Sequence, residues 1–72
     1  MQLDQYRGYT LWGHAIPQHE DVVRPERFAG SGTIMRDSKV AVASGVLGVF
    51  DTDEQAESAG LSWCRTWVDN HG

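Results

Sequence analysis

Hydrophobic and polar positions along this chain change their period once, dividing it into strand-like runs followed by one helix. Residues 7 to 16, Arg-Gly-Tyr-Thr-Leu-Trp-Gly-His-Ala-Ile, are rich in aromatic and β-forming side chains and end at Pro17, so they predict a first strand. Its alternating sets are Tyr9, Leu11, Gly13, Ala15 and Thr10, Trp12, His14, Ile16. Neither set is cleanly polar, and the pattern leaves the buried face open. From Pro17 to Arg27 two prolines stand among clustered charges, the composition of a solvated and mobile connection. Strand character resumes over Phe28 to Arg36, Asp37-Ser38 supplies turn chemistry, and Lys39 to Leu47 is a Val-rich run, which together predict an antiparallel hairpin.

After Phe50 the period becomes helical. Thr52 stands three residues before Gln55, and Asp51 three before Glu54, so either can cap the helix start. Ala56, Ala59, Gly60, Trp63, Cys64, Trp67 and Val68 then form one apolar stripe, with Asp53, Glu54, Glu57, Ser58, Ser62, Arg65, Thr66 and Asp69 on the other side. Acidic residues gather in the first turn, where the helix dipole favours them. The expected fold is α+β: a three-stranded antiparallel sheet packed on one C-terminal α-helix (β-β-β-α), with residues 1–72 forming a single domain. Its expected core contains Phe50, Ala56, Gly60, Trp63, Cys64 and Trp67. Small residues in the strands (Gly13, Ala29, Gly30, Gly32, Ala41, Ala43, Gly45) suggest a shallow surface crossed by Trp63 and Trp67. Gly60, unfavourable within a helix, marks a close approach to the sheet.

A chain of 72 residues supports one small core, for which natural domains often recruit a disulfide, a metal or a partner. With a single cysteine, Cys64, neither an internal disulfide nor a cysteine-rich zinc site is available, leaving the partner. The third strand fits that need, because Val40, Val42 and Val46 alternate with Ala41, Ala43 and Leu47 and both sets are apolar. Either something covers the second face, or small residues are tolerated there. The lone thiol, the lack of an apolar leader and the lack of a stretch of roughly 20 apolar residues read as a cytoplasmic protein with no membrane partner. Six Lys and Arg against ten Asp and Glu give a net charge of −4, which disfavours nucleic acid as a partner without excluding a local basic patch.

The segments Gly48-Val-Phe-Asp-Thr-Asp-Glu-Gln-Ala and Gly60-Leu-Ser-Trp-Cys-Arg-Thr-Trp-Val-Asp, with the opening Tyr6-Arg-Gly-Tyr, resemble small bacterial proteins grouped as domains of unknown function. That resemblance implies the β-β-β-α architecture and covers about two thirds of the chain; the connection from Pro17 to Arg27 departs from it. A weaker similarity is to AP2-type and integrase-arm DNA-binding domains, which pass through a comparable Phe-Asp-Thr segment into their packing helix. In those families the exposed sheet face carries several basic residues, and here the strands carry few.

No catalytic constellation emerges, and the chain is read as a non-enzyme without cofactors. His14, His19 and His71 with Glu20 and Asp21 fit no short-spacing metal motif and read as surface groups. Cys64 lies on the apolar stripe, where a buried thiol stays inert. Ser31 between Gly30 and Gly32 lacks the Gly-Lys-Ser/Thr of a phosphate loop, so these glycines read as packing or bulge positions. The acidic pairs are accounted for by capping and solvation. The expected function is a small interaction module that pairs with itself or another protein through the exposed sheet face or edge, with Val40, Val42 and Val46, or the opposing Ala41, Ala43 and Leu47, at the interface. The alternative is a nucleic-acid-binding sheet in which Arg7, Arg36 and Lys39 contact phosphates.

Overall fold

The computed structural model describes residues 2–18 and 27–71. Strands β1 (Gln2–Tyr6), β2 (Tyr9–Gln18), β3 (Arg27–Arg36) and β4 (Lys39–Phe50) precede one helix, α1 (Asp53–His71). The sheet is antiparallel throughout, in the order β1-β2-β3-β4. The α+β class and the C-terminal helix agree with the sequence reading, but the sheet has four strands rather than three. The run that reads as one strand from residue 7 is broken at Arg7-Gly8, where φ is 51° and 85°. Two successive positive φ values are what a two-residue hairpin turn of type I′ requires, and Gly8 adopts one without strain. The preceding Gln-Leu-Asp-Gln-Tyr is mostly polar and gives little hydrophobic signal, although it pairs residue for residue with β2 from Tyr6↔Tyr9 to Gln2↔Gly13.

Asp37-Ser38 makes a second turn of the same kind, with φ of 54° and 65°, and closes the expected β3–β4 hairpin. β2 runs through Pro17 to Gln18 instead of stopping before the proline. Beyond Gly13 it no longer has β1 beside it, so a residue without an N–H is accommodated there. Pro17, Gln18 and Arg27 are thus strand residues, and the expected mobile connection otherwise lies outside the described residues, as do His19, Glu20 and Asp21.

β4 is irregular. Its register against β3 shifts at three places, including the step where Ile34↔Val42 is followed by Met35↔Val40. Gly45 has a φ of 72°, and the Gly32 N–H donates to the Ser44 hydroxyl at 2.8 Å. Bulges of this kind increase strand twist and spoil the outer edge as a template for another strand.

Thr52 is the helix cap: its Oγ1 accepts the Gln55 N–H at 3.1 Å and its carbonyl accepts the Ala56 N–H at 3.2 Å. The helix lies close on β2 and β3 because glycines face it from both. A Cβ on Gly32 would stand 2.6 Å from the Gly60 carbonyl oxygen and 2.8 Å from the Cys64 Sγ. The close approach expected at Gly60 is therefore present.

The core cluster is Leu11, Ile34, Leu61, Cys64 and Val68, and the buried helix positions are Ala56, Glu57, Gly60, Leu61, Cys64 and Val68. Two expectations change. Glu57 is only 8% exposed and Leu61 joins the core, so the buried stripe is rotated from the expected one. Trp63 and Trp67 do not cross the sheet; half-buried, they pack against the margin of the cluster, as the helix backbone itself occupies the glycine-lined surface. Phe50 is also half-buried, while Ala56, Gly60 and Cys64 are buried as expected. No described helix is long and apolar enough to cross a membrane.

Candidate functional site: the open sheet face

With α1 on one side of the sheet, strand alternation assigns the other side. The register places Leu3, Trp12, Thr33 and Ala43 in one cross-strand row. A second row is Thr10, Met35 and Val40, and a third is His14, Ser31 and Val46. Ile16, Ala29 and Val49 form the fourth, in which Ala29 is buried between its neighbours rather than open to water. None of these side chains has a formal charge. Among the described residues, charge returns at the far end of the face, where Arg27 Nε and Asp51 Oδ1 pair at 3.4 Å. Val46 is 66% exposed, Val40 61% and Leu3 53%, an unusual concentration of large apolar side chains in contact with water.

The centre of this face is a shallow concavity of about 270 Å³ lined by Trp12, His14, Thr33 and Met35. His14 Nε2 and Thr33 Oγ1 share a hydrogen bond of 3.1 Å. The Trp12 indole Nε1 is buried with no hydrogen-bond partner, the only such side-chain atom found among the described residues. A buried unpaired N–H is costly.

The expected interface valines separate. Val40 and Val46 lie on the open face, but Val42 is half-buried against the core cluster on the helix side. The bulge between the Ile34 and Met35 pairs reverses the alternation, so two residues that share a face in a regular strand here point to opposite ones. Of the opposing set, Ala43 belongs to the open face.

Arg7, Arg36 and Lys39 are brought together at the end of the sheet that holds both tight turns. Arg7 Nε stands 3.5 Å from Asp69 Oδ1 and its guanidinium lies over the Tyr6 ring. Arg36 donates to the Tyr9 hydroxyl at 3.3 Å and stacks on the Tyr9 ring. Near them the Tyr6 hydroxyl donates to Asp69 at 2.7 Å, and His71 stacks on Trp67 at 4.5 Å between ring centres. Arg7 and Arg36 are thus engaged with Tyr6, Tyr9 and Asp69, which lie on the helix side.

The other candidates are dispersed. His14 and His71 occupy the open face and the helix end, and no group of three or more possible metal ligands occurs among the described residues. Cys64 is fully buried, and burial pushes its thiol up from the usual range, so it is held as the unreactive protonated form. Ser31 sits mid-strand on the open face, while its neighbours Gly30 and Gly32 pack beneath the helix.

The Trp12–His14 concavity is what sequence reasoning missed. Its signal was the glycines: Gly13, Gly30 and Gly32 mark the helix side, which assigns Trp12 and His14 to the other. No protein-family model, curated protein or solved structure matches the chain.

Proposed function

We propose that this protein is a non-catalytic interaction module that self-associates through its open sheet face, two copies stacking sheet on sheet with their helices outward. The observation that supports this most directly is the uncharged, largely apolar surface formed by four cross-strand rows on a chain whose net charge is −4. Two like-charged copies meet there without opposing charges, while the acidic helices remain in water.

The area is adequate. Strands of 5, 10, 10 and 12 residues, spaced by about 4.8 Å and rising about 3.3 Å per residue, make a face of roughly 600 Å². Two faces bury about 1,200 Å², the lower end of specific protein interfaces. The bulged β4 favours the face over the edge, because its outer margin is a poor template for strand addition. The same reading keeps the protein in a reducing cytoplasm, in accord with its single, buried thiol.

Light scattering behind a sizing column, at two concentrations a factor of ten apart, tests the proposal. Self-association gives a mass approaching twice 8.0 kDa at the higher concentration. A mass of 8.0 kDa at both, up to millimolar chain, rejects it.

The gathering of Arg7, Arg36 and Lys39 at one end favours a second reading, a nucleic-acid contact. The Asp69 carboxylate beside Arg7 and the engagement of Arg36 with Tyr9 weaken it. Salt-dependent binding of short DNA or RNA that is lost in the triple Glu variant would support it, and unchanged spectra at low salt would remove it.

A further inference from the structure

We infer that His14 makes this self-association sensitive to pH, the paired state taking the neutral imidazole and protonation driving the copies apart. The inference rests on the reading that the open face is where two copies meet. His14 occupies the middle of that face, in the row His14–Ser31–Val46, and is the one titratable side chain in the four described rows.

Among the described residues, no side chain beside it offers compensation for a positive charge. From β3 it meets Ser31 and Thr33, and from its own strand it is flanked by Trp12 and Ile16. Across β3 lies Val46 of β4, and β1 ends beside Gly13 without reaching it. The charges among the described residues lie elsewhere: α1 brings Glu57 over Gly13 on the opposite side of the sheet, Asp4 and Arg65 pair on that same side, and Arg27 and Asp51 pair at the end of the face.

In the single copy an imidazolium keeps water on its exposed edge. Under a second copy that water is displaced by a largely apolar surface whose four described rows carry no carboxylate, and burial without a counter-charge disfavours the charged form. Thr33 satisfies one ring nitrogen, at 3.1 Å. In the imidazolium both ring nitrogens carry an N–H, so the one away from Thr33 is a second unmatched donor on a face that already holds the Trp12 N–H.

The direction follows from linkage. Pairing lowers the proton affinity of His14, so association is complete where the imidazole is already neutral and weakens as pH falls through the range in which histidine titrates. A two-fold pair contains two such groups, so the free-energy effect is doubled and the factor in the dissociation constant is squared.

The test is sedimentation equilibrium of the full chain at about pH 7.5 and about pH 5.5, for wild type and for His14→Gln, which keeps a hydrogen-bonding group but cannot titrate there. The expected result is a dissociation constant at least tenfold larger at the lower pH for wild type, and unchanged within about threefold for His14→Gln. His71 remains in both, so a response from the helix end would survive in the variant and overturn the assignment. A wild-type pair of equal strength at both values would overturn the pH dependence while leaving self-association standing. A monomer at both would overturn self-association and this inference with it. A His14→Gln chain that no longer pairs at all is resolved by His14→Asn and His14→Leu; pairing retained at both pH values by either one supports the inference, and an unchanged pH response in either one rejects it.

Discussion

The Gly60 backbone of the helix rests on the Gly13 Cα of the sheet: a Cβ added to Gly60 would stand 3.1 Å from that atom and would overlap the Ser31 carbonyl. The neighbour that would have to yield is backbone in the middle of a hydrogen-bonded strand. Alanine is ordinarily better than glycine in a helix by about 1 kcal/mol, and here that preference is outweighed by the clash. Gly60→Ala is therefore expected to lower stability by about 2 kcal/mol in urea unfolding. A raised midpoint would show that the helix stands off the sheet.

The helix start makes a smaller claim. Because Thr52, and not Asp51, accepts the Gln55 N–H, Thr52→Ala should lose about 1 kcal/mol while Asp51→Ala, aside from its exposed pair with Arg27, loses little. Equal losses in the two variants would mean that the cap is shared.

The sheet and the helix were largely legible before the structure, and the reasons for the remainder are local. The helix declares itself by its cap and by apolar spacing over about four turns, and the Asp37-Ser38 turn by chemistry that tolerates positive φ. β1 escaped because it has one apolar residue outside Tyr6, so its pairing comes from the Arg7-Gly8 turn rather than from a hydrophobic pattern. The tryptophans were misplaced because size complementarity was argued from side chains, whereas backbone fills the glycine-lined surface. Face assignment in β4 failed at Val42 because a bulge is not visible as a change of hydrophobicity.

One ion pair ties the N-terminal strand to the helix: Arg65 Nη2 donates to Asp4 Oδ2 at 2.8 Å. That hydrogen bond holds the Asp4 carboxyl below its ordinary value of 3.8. A carboxyl depressed in the folded state contributes stability above its unfolded value and loses it as pH falls through the folded one. Asp4→Asn should accordingly flatten the part of the acid-induced loss that falls below pH 3.8 and leave the shape of the profile near neutrality unchanged. The difference should shrink in high salt, since both partners are exposed to water. Urea midpoints recorded against pH provide the comparison, and parallel curves for the two proteins would remove the pair from any role in acid stability.

Val42 and Val46 separate folding from association. Val42 packs against the core cluster from the helix side, so Val42→Ala should reduce stability by about 1 to 2 kcal/mol without altering the solution mass of the folded chain. Val46 is 66% exposed on the opposite face, so in the single copy a glutamate there meets water and should leave stability within about 0.5 kcal/mol. Between two copies the same carboxylate would be buried without a partner, costing about 3 kcal/mol or more and weakening association about a hundredfold. Unfolding curves at high dilution and light scattering at high concentration read the two effects separately. If Val46→Glu leaves the mass of a self-associated protein unchanged, the open face is not the surface through which the copies meet. If Val42→Ala changes the mass while sparing stability, the bulge in β4 does not reverse the valines as described.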